Sequence, residues 1–187
     1  MASVRGIFFL NTVDFVCESY GRDAHARILE RLPSDMAMLL STAALLRCDA
    51  TQWSWLPLDS LIVYMERAKQ LYGADDPQFF RKMGRYGGLG YRSQPIAMIV
   101  SDPESVAEYA GTLWRLLFDT GDVDVVQTAS AETRTRIRGF PAHAALCQRI
   151  LGSLEGIYAA AQRPAQVDKP ACVLAGQPYC EFRIVTA

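Results

Sequence analysis

The closing segment of the chain, Pro170–Val185, constrains the fold more than any other stretch. Two short apolar runs flank Gly176–Pro178, a sequence typical of a tight turn, so the segment predicts a β-hairpin. Each arm carries one cysteine, Cys172 and Cys180. Because side chains alternate between the two faces of a strand, Cys180 shares an inward face with Phe182. The chain therefore ends on a hairpin that directs a thiol into the interior and offers a second thiol on the partner arm.

A cysteine pair on a hairpin can be a metal clamp, a cross-strand disulfide or part of the core. Thiolates are zinc ligands, and unliganded cysteine is among the most buried residue types. The chain has five cysteines, and Met1–Arg5 runs directly into the short apolar run Gly6–Leu10 without a signal-peptide cleavage site. We therefore expect a cytoplasmic protein with reduced thiols, which disfavours the disulfide.

Length and charge limit the classes of partner. A chain of 187 residues, half of them apolar, can bury one full core, so we expect one domain over residues 1–187. The net charge of −1 provides no basic field for nucleic acid or for an anionic membrane. No apolar run approaches the ~20 residues of a membrane-spanning helix. Nucleic acid and membrane are therefore not expected as partners.

The first third of the chain is read as one strand followed by helices. Val4–Leu10 predicts a strand, and Asn11 or Thr12 is a candidate cap for a helix that ends at Gly21. Proline and capping residues then delimit two further predicted helices, over Arg22–Leu32 and from Ser34 to Leu46.

Two later segments carry apolar residues at the three- and four-residue spacing of a helix. The first, which ends at Gly73, has the stripe Leu58, Leu61, Ile62, Met65, Ala68 and Tyr72. The second opens at Asp102-Pro103, a cap followed by proline at the first helical position. Its apolar side consists of Val106, Ala110, Leu113, Trp114 and Leu117.

The pattern changes to strands in the last third. Asp122–Val126 and Thr133–Arg138 alternate with a period of two and are separated by a polar turn. A long helix is predicted over Pro141–Gln162, before the closing hairpin. Helices first and strands late, with no alternation of single strands and helices, indicate an α+β fold. We expect helices packed on one face of a small antiparallel sheet, with strands mostly in the C-terminal third.

The order of hairpin, helix and cysteine-bearing hairpin carries a family resemblance. Cys172, seven residues with a central glycine, Cys180, Glu181 and then Phe182 resemble the closing motif of 4-vinyl-reductase-like domains. The opening Val4–Phe9, followed by a helix and Tyr20-Gly21, is similar to an uncharacterised branch of this group found mainly in myxobacteria. The superfamily includes the sensor domains of phenol-responsive transcription activators, and is related in fold to TRAPP vesicle-tethering subunits and haem-based NO sensors.

The resemblance implies a structural zinc in the phenol-sensor members. Its ligands there are a helix cysteine, the two hairpin cysteines and a glutamate three residues before the first of these. In this chain Cys147 matches the helix ligand, but Lys169 stands at the glutamate position and cannot bind zinc at neutral pH. His143, one helical turn before Cys147, and Asp168 are candidate fourth ligands. A zinc site and unliganded core cysteines both remain open at this stage.

The resemblance also implies a ligand pocket between the central helices and the sheet, sized for a small aromatic or lipid-like molecule. Aromatic residues in or beside these helices are the candidates for its lining: Trp53, Trp55, Tyr64, Tyr72, Tyr109 and Trp114. The alternative is that these side chains simply fill the core. Haem is disfavoured, because the Tyr-x-Ser-x-Arg signature of the haem sensors is absent and Tyr91-Arg92-Ser93 has the wrong spacing.

Catalysis has little support in the residues. The chain has two histidines, and neither a Ser-His-Asp arrangement nor a carboxylate pair in an apolar setting is recognisable. The glycine-rich segment Gly84–Arg92 is read either as an anion cradle or as a closely packed helix end.

We therefore expect a non-enzymatic sensory domain. It would bind a small hydrophobic ligand and signal through a homodimer or a protein partner. A protein-interaction module resembling TRAPP subunits is the alternative.

Overall fold

The computed structural model describes residues 2–46, 54–90, 103–128 and 131–186. The helices within these ranges are α1 (Gly6–Tyr20), α2 (Ala24–Leu29), α3 (Ser34–Leu46), α4 (Leu58–Tyr72), α5 (Phe79–Leu89), α6 (Pro103–Leu117) and α7 (Ala144–Ala160). The strands are β1 (Ser3–Arg5), β2 (Trp55–Pro57), β3 (Asp122–Thr128), β4 (Glu132–Arg138), β5 (Ala165–Ala171) and β6 (Cys180–Thr186). The predicted α+β class, with strands mostly in the C-terminal third, is confirmed. Over the described ranges, no helix is both long enough and apolar enough to cross a membrane.

The late strands form one antiparallel sheet in the order β3-β4-β6-β5. The register places Thr135 opposite Phe182 and Ile137 opposite Cys180 on neighbouring strands. These four side chains are buried, at 8 % exposure or less. The period-two pattern of the sequence thus becomes one apolar face of the sheet, against which helices α6 and α7 pack.

The opposite face of the sheet carries charged side chains in ion pairs. Arg136 Nε donates to Glu181 Oε2 at 2.6 Å, and Arg138 pairs with Asp124 across β3 and β4. The Arg138–Asp124 pair is exposed and contributes little stability, whereas Glu181 is buried beneath its arginine partner. Together the pairs keep this face polar. The helices are therefore restricted to the other face.

The N-terminus differs from its prediction. The expected strand Val4–Leu10 is cut short, because β1 ends at Arg5 and α1 begins at Gly6. Thr12, a candidate cap, lies buried inside this helix, where its hydroxyl donates to the carbonyl of Phe8 at 2.9 Å. The run has β propensity, but burial of one helical face in the core outweighs it. Strand β1 pairs with β2 instead.

The glycine-rich segment forms a helix–helix contact as far as it is described. Gly84 and Gly88 of α5 face Gly152 and Gly156 of α7, four residues apart on each helix. A Cβ atom at any of these positions would overlap backbone atoms of the opposite helix. The glycines therefore allow the two backbones to touch, which favours close packing over an anion cradle and fixes α7 against the helical layer.

Candidate functional site

A cavity of about 150 Å³ lies between α6, α7 and the apolar face of the sheet. Its walls are formed by Phe8, Val106, Ala110, Leu113, Trp114, Leu117, Phe118, Val123, Thr135, Ile137, Ile150, Ser153, Leu154, Ile157, Tyr158, Phe182 and Ile184. None of these residues carries a formal charge at neutral pH. The lining therefore suits an uncharged apolar molecule, because a charge placed here would lose its hydration without gaining a partner.

Helix α6 contributes its whole apolar side to the cavity. All five residues of the stripe identified in the sequence, from Val106 to Leu117, belong to the lining. Phe182 and Ile184, which alternate with Cys180 on β6, form part of the opposite wall. The sequence pattern therefore carried the signal for these walls, since the two apolar faces that meet around the cavity are both periodic.

Trp114 is held in position as one wall of the cavity. Its indole Nε1 donates to the carbonyl of Thr120 at 2.9 Å. Its ring stacks on Phe118, with centroids 4.3 Å apart, and meets the edge of Phe140 at 4.8 Å. The polar atom of the indole is thus satisfied outside the cavity, which leaves an apolar ring surface toward a ligand.

Polar groups at the cavity are few and include Tyr158, Thr135 and Ser153. The Tyr158 side chain is buried and hydrogen-bonds to Thr133 of β4. Burial raises the pKa of the Tyr158 hydroxyl, so this group is neutral at physiological pH. The hydroxyl groups thus contribute almost nothing to the surface of the cavity, which is apolar and uncharged.

The structure brings one of the six predicted pocket aromatics, Trp114, to this cavity. Trp55 and Tyr109 lie at the surface, with about 40 % of each residue exposed, and the Arg5 guanidinium lies 3.8 Å from the Trp55 ring centroid. Trp53 lies outside the described residues.

Tyr64 and Tyr72 belong to a separate aromatic group between α1, α2 and α4. The Tyr64 hydroxyl and His25 Nδ1 are 2.8 Å apart, and Tyr64 is fully buried. Tyr72 stacks on Tyr20 with centroids 4.9 Å apart. These contacts fill the helical core, away from the cavity described above.

A buried arginine beside the cavity was not anticipated from the sequence. Arg149 of α7 is 2 % exposed, and its Nη2 donates to the carbonyl of Phe8 at 2.6 Å. Its guanidinium lies 4.1 Å from the Phe8 ring centroid, and Nη1 contacts Met65 Sδ at 3.5 Å. Arg149 thereby ties α7 to the start of α1 and positions Phe8 as a cavity wall. The available signal in the sequence was that Arg149 is the only cationic residue of α7.

The three predicted cysteines converge. The sulfurs of Cys147, Cys172 and Cys180 all lie within 4.8 Å of one another, and all three residues are buried. The sulfur atoms of Cys172 and Cys180 are 3.7 Å apart across the β5–β6 hairpin. Helix α7 contributes Cys147 from its first turn. The cluster therefore joins the long helix to both arms of the hairpin.

Lys169 enters this cluster, at the position where the resemblance implied a glutamate. Its ammonium group donates to Cys172 Sγ at 3.0 Å and also hydrogen-bonds to Cys147. Burial raises the pKa of the Cys172 thiol, but the Lys169 hydrogen bond and the Leu174 backbone N–H outweigh it and lower this pKa to about 7. Burial raises the pKa of the Cys147 thiol to about 11. The negative charge in the cluster is therefore concentrated on Cys172.

The two candidate fourth zinc ligands lie elsewhere. His143 caps α7, its Nδ1 accepting a hydrogen bond from the Ala145 backbone N–H at 3.3 Å. Asp168 pairs with Arg183 on the charged face of the sheet, with Nε to Oδ2 at 3.1 Å. Among the described residues the cluster thus consists of three thiols and one ammonium group. A closed tetrahedral site needs a fourth donor, so the residues described do not complete one, and zinc stays a prediction.

No family model matches the chain, and no curated protein matches it. The fold, however, is shared with solved structures. The chain superposes on an H-NOX protein from S. oneidensis in the Fe(II)NO ligation state with a TM-score of 0.69 and 16 % identity, covering 98 % of this chain and 99 % of that one. An unliganded Fe(II) H-NOX protein from K. algicida gives 0.68 and 8 % identity, covering 98 % and 96 %.

A trafficking protein particle complex subunit 3 from Naegleria fowleri, covalently bound to palmitic acid, is also similar. Its TM-score is 0.51 at 12 % identity, and the match covers 67 % of this chain and 92 % of that one. Identities this low establish a common fold and nothing finer. The predicted relationship in fold to haem NO sensors and TRAPP subunits is therefore supported, whereas the 4-vinyl-reductase branch is not shown.

The expectation that haem is disfavoured is contradicted by these comparisons, because structures of this fold include an H-NOX protein studied for the distortion of its haem. A missing signature motif was too narrow a criterion, since the fold is retained at identities where motifs are lost. Proteins hold haem iron through His, Cys, Met or Tyr. Among the described lining residues Tyr158 alone is of these types, and His25 and His143 are engaged elsewhere. The described donor set therefore does not match a haem centre with a histidine ligand.

Proposed function

We propose that this chain is a non-enzymatic sensory domain that binds a small, uncharged, apolar molecule of about the size of one aromatic ring. The observation that carries the proposal is the cavity bounded by α6, α7 and the sheet, which is lined by uncharged and mostly apolar side chains. The likeness in fold to H-NOX domains supports a sensory role, because one of those structures is an oxygen-binding H-NOX domain related to soluble guanylate cyclases.

The cavity volume limits the ligand. Pockets for drug-sized molecules measure about 300–1,000 Å³, whereas this cavity measures about 150 Å³. An apolar cavity of about 150 Å³ lined by Leu, Ile and Phe stays dry and binds benzene or xenon. A single-ring molecule therefore fits without rearrangement. A longer chain or a macrocycle would require α6 to move.

Helix α6 is the element best placed to transmit binding. Its C-terminal end is anchored to β1: the carbonyl of Leu116 accepts from Arg5 Nε at 3.2 Å, and the Ser3 backbone N–H donates to Asp119 Oδ1 at 2.6 Å. The opposite side of α6 exposes Tyr109 and Leu116 to solvent. A ligand would press on the cavity side while a partner reads the exposed side. Both actions involve the same helix.

The direct test is binding of a neutral aromatic probe to the natively purified protein. Benzene and toluene should raise the free energy of unfolding, by about 2.7 kcal/mol at a concentration of 100 times the dissociation constant. Benzoate, which is slightly larger than toluene and carries a charge, should not bind, whereas nitrobenzene, a neutral molecule of the same size and shape as benzoate, should. Calorimetry and thermal unfolding measure both. Equal binding of benzoate and toluene would contradict a neutral site.

A matched pair of variants on α6 locates the site. Ala110 lines the cavity, whereas Ala107 is exposed on the same helix. Ala110→Leu should abolish benzene binding by filling the cavity, and Ala107→Leu should leave it unchanged. If both variants bind benzene like the parent protein, the ligand site is not this cavity.

Haem binding is tested in the same preparation. An absorption spectrum of the natively purified protein, and of the protein incubated with haemin, would show a Soret band if haem is held. A stoichiometric haem complex would contradict the proposal of a single-ring ligand and would identify haem as the ligand instead. A spectrum without such a band, together with benzene binding, would support the smaller ligand.

We further propose that the sensor acts as a homodimer, in which a conformational change in α6 would be passed to the second copy of the chain. A specific dimer should bury at least about 1,000 Å² of total surface. Light scattering at tens of micromolar should give twice the chain mass. A monomer at that concentration would leave a protein partner as the recipient of the signal.

A protein-interaction module is the second candidate. Met38 and Leu39 of α3 are 70 % and 38 % exposed, and the trafficking subunit has the same fold over two thirds of this chain. Under this alternative, surface substitutions on α3 would impair the protein's activity in cells, and Ala110→Leu would not. Surface substitutions on α3 and Ala110→Leu therefore distinguish the interaction module from the ligand-binding sensor.

A further inference from the structure

The cysteine cluster lies outside the ligand cavity, and the proposed sensory function makes no use of it. Cys172 directly follows β5 and Cys180 begins β6, so the exposed turn between them connects the two thiols. Their sulfurs are 3.7 Å apart, whereas a disulfide bond is about 2.05 Å long. An approach of about 1.7 Å would thus bond them, within the flexibility of a surface hairpin end.

We propose that Cys172 and Cys180 are a reversible redox pair that is oxidised by hydroperoxides, with Lys169 as the positioning residue that activates Cys172. The ammonium of Lys169 lies 3.0 Å from Cys172 Sγ and stabilises negative charge on that sulfur. Redox-sensing cysteines commonly combine a stabilised thiolate with a second thiol close by. Both features are present here in one hairpin.

The exposure pattern selects Cys172 as the thiol attacked by the oxidant. All six residues that follow it, Val173–Pro178, are exposed, and Cys172 keeps 8 % exposure against 6 % for Cys180 and 4 % for Cys147. Cys147 sits deeper, in the first turn of α7. A small hydroperoxide reaching the cluster from the turn meets Cys172 first.

The chemistry balances in two steps. The Cys172 thiolate attacks the distal oxygen of hydrogen peroxide, the O–O bond breaks, and the hydroxide that leaves takes a proton to form water, giving a sulfenic acid at Cys172. The Cys180 sulfur then attacks the Cys172 sulfur, the S–O bond breaks, and the Cys180 proton leaves with that oxygen as a second water. Two electrons have passed from two thiols to one peroxide, and a dithiol reductant reverses the change.

The test is mass spectrometry with peptide mapping on the full chain after mild hydrogen peroxide treatment. We expect a loss of about 2 Da that maps to a Cys172–Cys180 linkage and is reversed by dithiothreitol. A linkage from Cys172 to Cys147 or to Lys169 would overturn the proposal. So would equal oxidation of all the cysteines, or no disulfide below the peroxide dose that oxidises methionine.

Two controls separate activation from folding. Lys169→Met should slow disulfide formation about tenfold, whereas Lys82→Met, which removes an exposed lysine paired with Asp76, should not change the rate. Cys17→Ser, outside the cluster, should leave the linkage intact. Stoichiometric zinc in the natively purified protein, retained until the cysteines are oxidised, would overturn the proposal of a metal-free redox pair. Zinc, and not the Lys169 ammonium, would then stabilise the negative charge on the cysteine sulfurs. The wild-type measurement stands even if Lys169→Met fails to fold.

Discussion

The two sides of helix α7 are packed in opposite ways. On one side, Gly152 and Gly156 bring its backbone against that of α5, and a Cβ at Gly152 would overlap the carbonyl oxygen of Arg81. On the other side, Ser153 and Ile157 border the cavity of about 150 Å³. One helix is thus in backbone contact with a neighbour along one side and next to a void along the other.

This difference suggests that the two helices beside the cavity are held in place to different extents. Protein interiors are close-packed, and a void forfeits dispersion contacts on its lining. The side with backbone contact holds α7 in place, whereas α6, across the cavity, packs chiefly on β3. We therefore expect any adjustment to a ligand to fall on α6, and the predictions below test that division.

The largest effect is expected from an added methyl group on the glycine side. Gly84→Ala should destabilise the protein by about 3 kcal/mol, because the new Cβ would overlap the carbonyl oxygen of Arg149 and force the helices apart. Gly87→Ala is the matched control on α5, since its Cβ would lie 3.6 Å from Asn11 in ordinary contact. It should be neutral or stabilising by up to about 1 kcal/mol. Urea unfolding measures both, and equal effects would remove the distinction between the two sides of α7.

Helix α7 also contacts the β5–β6 hairpin, because Cys147 lies beside Cys172 and Cys180. A substitution at Cys180 tests how strongly this contact holds the helix. Cys180→Ser should cost about 1–2 kcal/mol in a metal-free cluster, for one poorly satisfied hydroxyl in a buried site. If zinc joins α7 to the hairpin, the cost should be several kcal/mol, because metal binding is then coupled to folding. Elemental analysis alongside denaturant unfolding distinguishes the two, and a large cost without metal would leave the cluster energetics unexplained.

A larger side chain on the cavity side should stabilise the protein, whereas one on the glycine side should destabilise it. Ala110→Leu should stabilise the protein by about 1 kcal/mol, because the new side chain gains contacts in empty space. Ala107→Leu, exposed on the same helix, should change stability by less than about 0.5 kcal/mol. A clear destabilisation by Ala110→Leu would show that the cavity is not available space in solution.

Elements with strong periodicity could be predicted from the sequence. The stripe from Leu58 to Tyr72 became α4 with the expected bounds, and the alternation of Cys180 and Phe182 placed both side chains in the interior. Periodicity reports which face of an element is buried. It does not report which elements meet, and the predicted pocket residues Tyr64 and Trp55 do not line this cavity, whose walls are mostly aliphatic.

The glycine contact and the Lys169 contact could not be foreseen for a related reason. Gly84 and Gly152 act as a pair only once two distant helices are adjacent, and a glycine alone predicts helix weakening. In the sequence, Lys169 indicated only that the zinc-binding glutamate implied by the resemblance is missing. Its ammonium contributes instead through a hydrogen bond to Cys172 that depends on the shape of the hairpin. The first is a contact between residues far apart in the chain, and the second is a local contact between residues three apart, at the irregular end of β5.

The last expected effect is a pH dependence of stability that comes from Cys172, the acceptor in this contact. The Lys169 hydrogen bond and the Leu174 backbone N–H, acting against burial, lower the pKa of Cys172 from 9.0 to about 7 in the folded protein. A lowered acid pKa stabilises the folded state above the unfolded value, and this contribution is lost as the pH falls through about 7. The free energy of unfolding should therefore rise between pH 7 and pH 9, and Cys172→Ser should flatten that rise.

The pH window is chosen to isolate this one group. Burial raises the pKa of both Cys147 and Cys180, and a raised acid pKa removes stability only above the unfolded value near 9. Alkylation by iodoacetamide gives an independent measurement, because the thiolate is the nucleophile. The rate at Cys172 should be half-maximal near pH 7, and Lys169→Met should move that midpoint upward while Lys82→Met leaves it in place. A midpoint near 9 in the parent protein would show that the ammonium does not act on this sulfur. The contact of α7 with the hairpin would then be ordinary core packing.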